Sequence, residues 1–226
     1  MFVTIEGVEG GGKSTSLSFV ADLLGSAGKP VLVTREPGGT EIGEALRELL
    51  LRPGQTIGPD AELLLMFAAR AEHLATVIRP ALEAGQWVVC SRFTDATYAY
   101  QGAGRGIPNA RIAVLEDWVQ GTLRPDLTLI LDIPVEEGLA RVRRRGATDR
   151  FERERMAFFH RVRGAYLARA NARPHRYRVI DARAPIGMVR ERIRDVMREF
   201  LSGGLSDLGC STAGKRISAK ISGNFR

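Results

Sequence analysis

Cysteine is scarce in this sequence: Cys90 and Cys210 are the only two among 226 residues. That excludes a disulfide framework, and their spacing fits no metal knuckle. Long hydrophobic runs are also missing. No apolar stretch approaches the roughly 18 residues of a membrane-spanning helix, and the first residues read directly as a strand, with no signal-peptide pattern. There is no internal repeat and no recognised nucleic-acid module. The net charge is +7, but the last 22 residues carry +3 of it, from Lys215, Arg216, Lys220 and Arg226 against Asp207. The remaining +4 is mostly arginine, which grips isolated phosphates as well as polynucleotides. What is present is 44% hydrophobic residues, enough for one domain with a sizeable core. The expectation is a protein of a reducing, cytoplasmic compartment, with neither membrane nor nucleic acid as partner.

The chain alternates apolar strands with helical patterns. "MFVTIEG" reads as a strand that ends in a glycine loop, and "KSTSLSFVADLLGSAG" as a helix stopped by Gly25 and Gly28. "PVLVTRE", "QWVVCS", "RPDLTLILDIP" and "RYRVIDA" supply four more strands. Between them lie the long helical stretch "AELLLMFAARAEHLATVIRPALEAG", interrupted late by Pro80, and the patterns "PNARIAVLEDWVQG" and "VEEGLARVRRR". "PIGMVRERIRDVMREFL" closes the series as an amphipathic helix. Strands alternating with helices of this length indicate a parallel sheet covered on both faces. After Phe200 the composition turns to Gly and Ser without apolar periodicity, so residues 203–226 read as a disordered extension.

The first strand-to-helix junction carries the clearest chemistry. Gly7, Gly12, Lys13 and Ser14 fit G-x-x-x-x-G-K-[ST], the phosphate loop of nucleoside triphosphate sites. Its glycines turn backbone N–H groups inward around phosphate oxygens, and the helix N-terminus adds its positive dipole end. Lys13 then offsets β/γ-phosphate charge and Ser14 offers a hydroxyl to Mg²⁺. The expected ATP-binding segment is Gly7, Val8, Glu9, Gly10, Gly11, Gly12, Lys13, Ser14 and Thr15. Such a loop is common to many enzymes and leaves the phosphoryl acceptor open.

Further motifs sit where parallel strands end, the usual place for ligands. "TREPGGTEIGEALRELLL" follows the second strand, "SRFTDATYAYQGAGRG" follows the third, and "LMFAARAEH" lies within the long helix. With "VEGGGKST", "RPDLTLILD" and the basic "RRRGATDRFE", these resemble the bacterial thymidylate kinase family over about residues 1–201, in order and in spacing. The resemblance implies an α/β, three-layer P-loop kinase fold: a five-stranded parallel sheet with helices on both faces. It also implies a domain over residues 1–202, a mobile lid at about 141–153, and a homodimer. The implied reaction is ATP-dependent phosphorylation of dTMP to dTDP with Mg²⁺.

Carried onto this sequence, the resemblance makes Arg92 the holder of the acceptor phosphate, with Arg35 and Arg47 adding charge beside it. It gives Phe67 the role of stacking on the base, with Met66 a rival for the same space, and gives Arg70 the exocyclic oxygen. Thr97 and Gln101 match positions that hydrogen-bond the base, and Tyr100 one beside the sugar. The bond before Pro37 is expected to be cis. Glu9 is expected to face the sugar 3′-hydroxyl and to stand near Mg²⁺. Because the phosphate loop has Glu9-Gly10-Gly11 and no arginine, the lid should supply one to the transferring phosphoryl group: Arg145 or Arg150, with Arg143 next.

Two positions and the tail after Ser202 depart from the family pattern. Ser91-Arg92 stands where Asp-Arg is usual, which removes a carboxylate near the expected metal and predicts lower turnover. Gly11 replaces a common alanine, a mild change. The alternatives are a kinase for another nucleoside monophosphate, UMP or AMP, or a nucleotide-binding homologue weakened at Ser91.

Overall fold

The computed structural model describes residues 1–144, 146 and 149–203. Five strands form one wholly parallel sheet: β1 (Phe2–Glu6), β2 (Val31–Arg35), β3 (Trp87–Ser91), β4 (Leu127–Asp132) and β5 (Tyr177–Asp181), in the order β2-β3-β1-β4-β5. All five are the strands read from the sequence. β1 is central, and its register pairs Ile5 with Ser91 on one side and Glu6 with Ile130 on the other. Arg35 of β2 also pairs with Ser91. The carboxyl ends of β1, β2 and β3 therefore open beside one another.

Period-two alternation sends successive residues to opposite faces. Val3, Ile5 and Val89 join a cluster with Val20 and Leu24 of α1 (Lys13–Ser26). Phe2, Val88 and Cys90 instead pack with Leu74, Ile78 and Ala81. Those last three belong to a helical stretch made of α3 (Pro59–His73), a π-helical segment (Leu74–Ile78) and α4 (Arg79–Glu83). The sequence suggested an interruption at Pro80. The chain stays helical there because Arg79 N–H bonds to Leu74 O, a wide i→i−5 turn of the kind that accommodates a local disturbance in a helix.

The remaining helices are α2 (Glu41–Leu51), α5 (Thr94–Thr97) with a π-helical continuation (Tyr98–Gly104), α6 (Asn109–Gln120), α7 (Val135–Arg143), α8 (Met156–Ala172) and α9 (Ile186–Leu201). Three of these elements, α2, the 94–104 segment and α8, were not anticipated. α8 buries Phe158, Phe159, Val162, Tyr166 and Ala170, a stripe at helical spacing interleaved with Arg161, Arg163 and Arg169 that obscure it in sequence. It lies against β4, β5 and the 98–104 turn, and so brings Tyr166 under the central strand. Among the described residues no helix is long and apolar enough to cross a membrane. The extension beyond Gly203 lies outside the described residues.

Candidate active site

The phosphate loop bridges β1 and α1 in a conformation that only glycine takes without strain. Gly10 and Gly12 have φ of 75° and 83°, in the left-handed region. Gly10 also meets α7 at van der Waals limits: a Cβ there would stand 2.1 Å from Gly138 O. Lys13 Nζ folds back over the loop, donating to Gly7 O at 3.1 Å and Val8 O at 2.8 Å. Because the cap of α1 is Gly12, no cap side chain competes for the first-turn amides, which suits anion binding. The loop opens on a cavity of about 440 Å³, lined there by Glu9, Gly10, Gly12, Lys13, Ser14 and Thr15. Val8 points into the core, and Gly7 and Gly11 belong to the frame of the loop. A Cβ on Gly11 would come no nearer than 3.3 Å to the Leu131 and Val8 oxygens, so an alanine there asks only a small adjustment.

Opposite the loop, Arg35, Arg47 and Arg92 line the same cavity. Arg35 is held in a fork by Glu44, at 3.0 and 2.9 Å, and Arg47 donates to Pro37 O at 2.9 Å. The Glu36–Pro37 bond is cis, as the resemblance implies. Burial, with the Arg35 and Arg92 charges adding to it, pulls the Arg47 guanidinium below the usual arginine range. Three guanidiniums thus share one wall, and a bound phosphate there would relieve the repulsion that Arg47 feels from the other two.

Arg92 is the most constrained of the three. It is the only non-glycine described residue with positive φ, at 67°, a conformation that costs roughly 1–2 kcal/mol. Its Nη2 donates to Glu9 Oε1 at 2.7 Å, and its Nη1 faces Gly7 O and the Tyr166 hydroxyl, each at 3.3 Å. The guanidinium lies over the Tyr100 ring, 4.8 Å from its centroid, and the Tyr100 hydroxyl donates to Glu9 Oε1 at 2.6 Å. Burial works against the Glu9 carboxylate, but Arg92 and Lys13 outweigh it and hold the group below its usual range. Its second oxygen, Oε2, is buried with no hydrogen-bond partner.

At the far end, Met66, Arg70, Thr97 and Gln101 line the cavity. Phe67 does not: it is buried against Leu63, Tyr98, Ile107 and Ile112. The Arg70 guanidinium packs over the Phe67 ring, 4.8 Å from its centroid, so Phe67 lies behind it in the core while Met66, one turn before Arg70, reaches the cavity wall. The stacking expectation for Phe67 is therefore corrected to Met66 as the apolar wall. Arg70 donates from Nε to Glu36 at 2.8 Å and from Nη2 to Thr97 at 3.0 Å, and its buried Nη1 is unpartnered.

The lid residues are arranged differently from the sequence reading. Arg150 does not reach the cavity. Its Nη2 bonds Glu62 at 2.6 Å, its Nε bonds Leu50 O at 2.7 Å, and its guanidinium covers Phe151. Glu62 is a fully buried carboxylate and attracts the nearest cation more strongly than a solvated site can. Arg143 is exposed, and Arg145 lies outside the described residues. Arg141, not singled out in the sequence, lines the cavity instead, donating to Ala182 O at 3.1 Å and approaching Gly10 O at 3.5 Å. Its sequence signal is its place one turn after Gly138.

Sequence reasoning also missed Glu6 and Tyr166. Glu6 accepts from Phe93 N at 2.6 Å and from the Tyr166 hydroxyl at 2.8 Å, bracing both the backbone after Arg92 and the tyrosine beside its guanidinium. Burial first, then repulsion from Asp95, push its carboxyl from 4.5 up to about 7. A raised carboxyl stabilises the fold fully below its unfolded pKa and loses that contribution as pH rises through the folded one. Relative to Glu6→Gln, the native chain should lose on the order of 3 kcal/mol between about pH 4.5 and 7. Denaturant midpoints of both proteins across that range check this; a pH-independent difference would contradict it.

The family model for thymidylate kinase matches residues 5–193. A thymidylate kinase of Pseudomonas fluorescens is 57% identical over 202 residues, covering 89% of this chain and 96% of the relative. That of Methylococcus capsulatus is 57% identical over 202 residues, covering 89% and 97%. The chain belongs to the thymidylate kinase family. A crystal structure of thymidylate kinase from Ehrlichia chaffeensis superposes with a TM-score of 0.72 at 35% identity, covering 88% of this chain and 98% of the other. The span matched by the thymidylate kinase model includes the phosphate loop, the three arginines and the 94–104 turn. Every described residue of the cavity thus falls within the thymidylate kinase match.

Proposed function

We propose that this chain transfers the γ-phosphoryl group of ATP to dTMP, giving dTDP and ADP for dTTP synthesis. The observation that carries the reading is one cavity with two anion sites: phosphate loop and Lys13 on one wall, Arg35, Arg47 and Arg92 on the other. The acceptor phosphate oxygen attacks the γ-phosphorus, the bond from it to the β–γ bridging oxygen breaks, and ADP leaves with that oxygen. Fixed guanidiniums offset the repulsion between the two polyanions. Lys13 and the loop amides hold the donor, Arg92 the acceptor, and Arg141 is placed beside the loop where a cation neutralises transferring charge. Glu9 Oε2 is the free acceptor for the sugar 3′-hydroxyl. Met66, Arg70, Thr97 and Gln101 receive the base. Side-by-side turnover of dTMP, UMP and AMP tests the assignment, and preference for UMP or AMP would overturn it.

Among the described residues no group of three or more His, Cys, Asp or Glu forms a metal cage. Mg²⁺ fits without one, since it keeps most of its waters and is held by phosphates with one or two protein oxygens. Ser14 on the cavity wall would supply such an oxygen, with the Glu9 carboxylate nearby. When bound, the ion supplies charge neutralisation between the β- and γ-phosphates. Ser91 also lines the cavity at the end of β3 but brings no charge. Ser91→Asp should raise turnover about tenfold, the scale of a lost group around a metal. Steady-state rates at varied Mg²⁺ check this, with no gain as the contrary result.

We place this chemistry in the cytoplasm, where ATP is supplied. We assign the homodimer to the exposed apolar face of α3 and α6. Val114 and Trp118 lie one turn apart on α6, 67% and 82% exposed, and Leu64 is exposed on the neighbouring α3. Trp118→Glu should sediment as a monomer; an unchanged mass would place the interface elsewhere.

A further inference from the structure

Glu62 does not line the cavity, yet three donors converge on it. It is fully buried on α3. Its Oε2 takes Arg150 Nη2 at 2.6 Å, and its Oε1 takes both Gln101 Nε2 at 2.8 Å and Arg105 Nε at 3.2 Å. With an arginine donor on each oxygen, both oxygens act as acceptors, and neither is left to donate toward Gln101. The Gln101 side chain must then turn its NH₂ to Glu62. Gln101 is itself buried and lines the cavity, so its amide oxygen is the atom presented to the base. Arg70 lines the same end of the cavity, and its buried Nη1 has no hydrogen-bond partner. The base end of the cavity therefore offers one acceptor and one donor.

That pattern complements an edge with a ring N–H donor beside a carbonyl acceptor, as in thymine and uracil. Cytosine and adenine present the reverse, a ring-nitrogen acceptor beside an amino donor. A flipped Gln101 would turn its NH₂ to the ring position and favour them. From this geometry, and resting on the acceptor assignment made above, we infer that Glu62 is a positioning residue for base specificity: it locks the Gln101 amide in the one orientation that admits a keto pyrimidine. Replacing it by glutamine supplies an NH₂ that can face Gln101 Oε1, so the amide can turn over. Mispaired buried polar groups are what give a hydrogen-bonding site its selectivity.

The test is the ratio of kcat/KM for dTMP to that for dCMP, measured on the full-length chain and on Glu62→Gln. The ratio should fall about tenfold or more in the variant, through a higher KM for dTMP, with KM for ATP little changed. In a Gln101→Met background, which has no amide to orient, Glu62→Gln should leave the ratio unmoved. If Glu62→Gln does not fold, Glu62→Asp keeps the buried charge but draws the carboxylate back from Gln101 and the arginines alike, and should lower the ratio likewise. A ratio unchanged in the Gln101 background, or a change that persists without the amide, would overturn the inference while leaving the acceptor assignment standing. Failure of the native chain to take dTMP would overturn both.

Discussion

Arg92→Ala should lower kcat/KM for dTMP about a thousandfold, the scale of losing a preorganised charged donor at a reacting oxyanion. Many contacts hold this side chain in place. Its guanidinium bonds Glu9, faces Gly7 O and the Tyr166 hydroxyl, and lies over Tyr100. Its backbone keeps a positive φ that ordinary residues avoid. Glu6 secures the next amide, Phe93 N–H. Strain retained by this many contacts points to function at the residue itself. Arg92→Lys should recover little, because an ammonium cannot reproduce a fork that meets several oxygens at once. Arg92→Gly should separate stability from activity. It relieves the backbone by about 1 kcal/mol and should unfold at a higher temperature than the alanine variant, yet be equally inactive. Kinetics at varied dTMP with thermal melts of all three variants check this. A loss below about tenfold, well short of the scale for such a donor, would remove Arg92 from the acceptor site.

The second large effect runs against helix propensity. Gly138 lies inside α7, where alanine is the better helix former by roughly 1 kcal/mol. Considered as a helix residue alone, Gly138→Ala stabilises. Its Cβ, however, would stand 2.4 Å from Glu9 O, and neither partner can swing away because both are backbone. Overpacking of this kind costs roughly 1–3 kcal/mol, so steric cost exceeds propensity. Relief requires the phosphate loop to move off α7, carrying Glu9 and Gly10 with it. Gly138→Ala should therefore lower the melting temperature and weaken ATP binding by about tenfold or more, on the scale of 1.4 kcal/mol per decade. Thermal unfolding and ATP titration measure both. A higher melting temperature with unchanged ATP affinity would show that the contact is slack.

The parts of the fold that were legible in sequence share a physical cause. All five strands are buried on both faces or bounded by turn residues, so their apolar runs stand out, and the phosphate loop is a contiguous motif. α8 escaped notice because arginines lie between its core positions, and Tyr166, the residue it delivers to the site, has no local signal. Phe67 and Met66 differ by one helical step, which motif matching does not resolve but the cavity wall does. The resemblance of its basic segment to the family's lid points Arg150 at the transferring phosphoryl group. The partner that claims it, Glu62, is 88 positions away in sequence, and that distance concealed the pairing. Arg141 was overlooked within the same basic run, although its turn of α7 is the one that abuts the phosphate loop.

The central claim is that one cavity brings the phosphates of ATP and dTMP together for direct transfer. The most direct test is to incubate the full-length chain with ATP, Mg²⁺ and dTMP and to quantify ADP and dTDP together. The account predicts equal amounts of both products, with ADP release dependent on dTMP and abolished by Lys13→Ala. Tight binding of both nucleotides without dTDP, or ADP release that ignores dTMP, would contradict it.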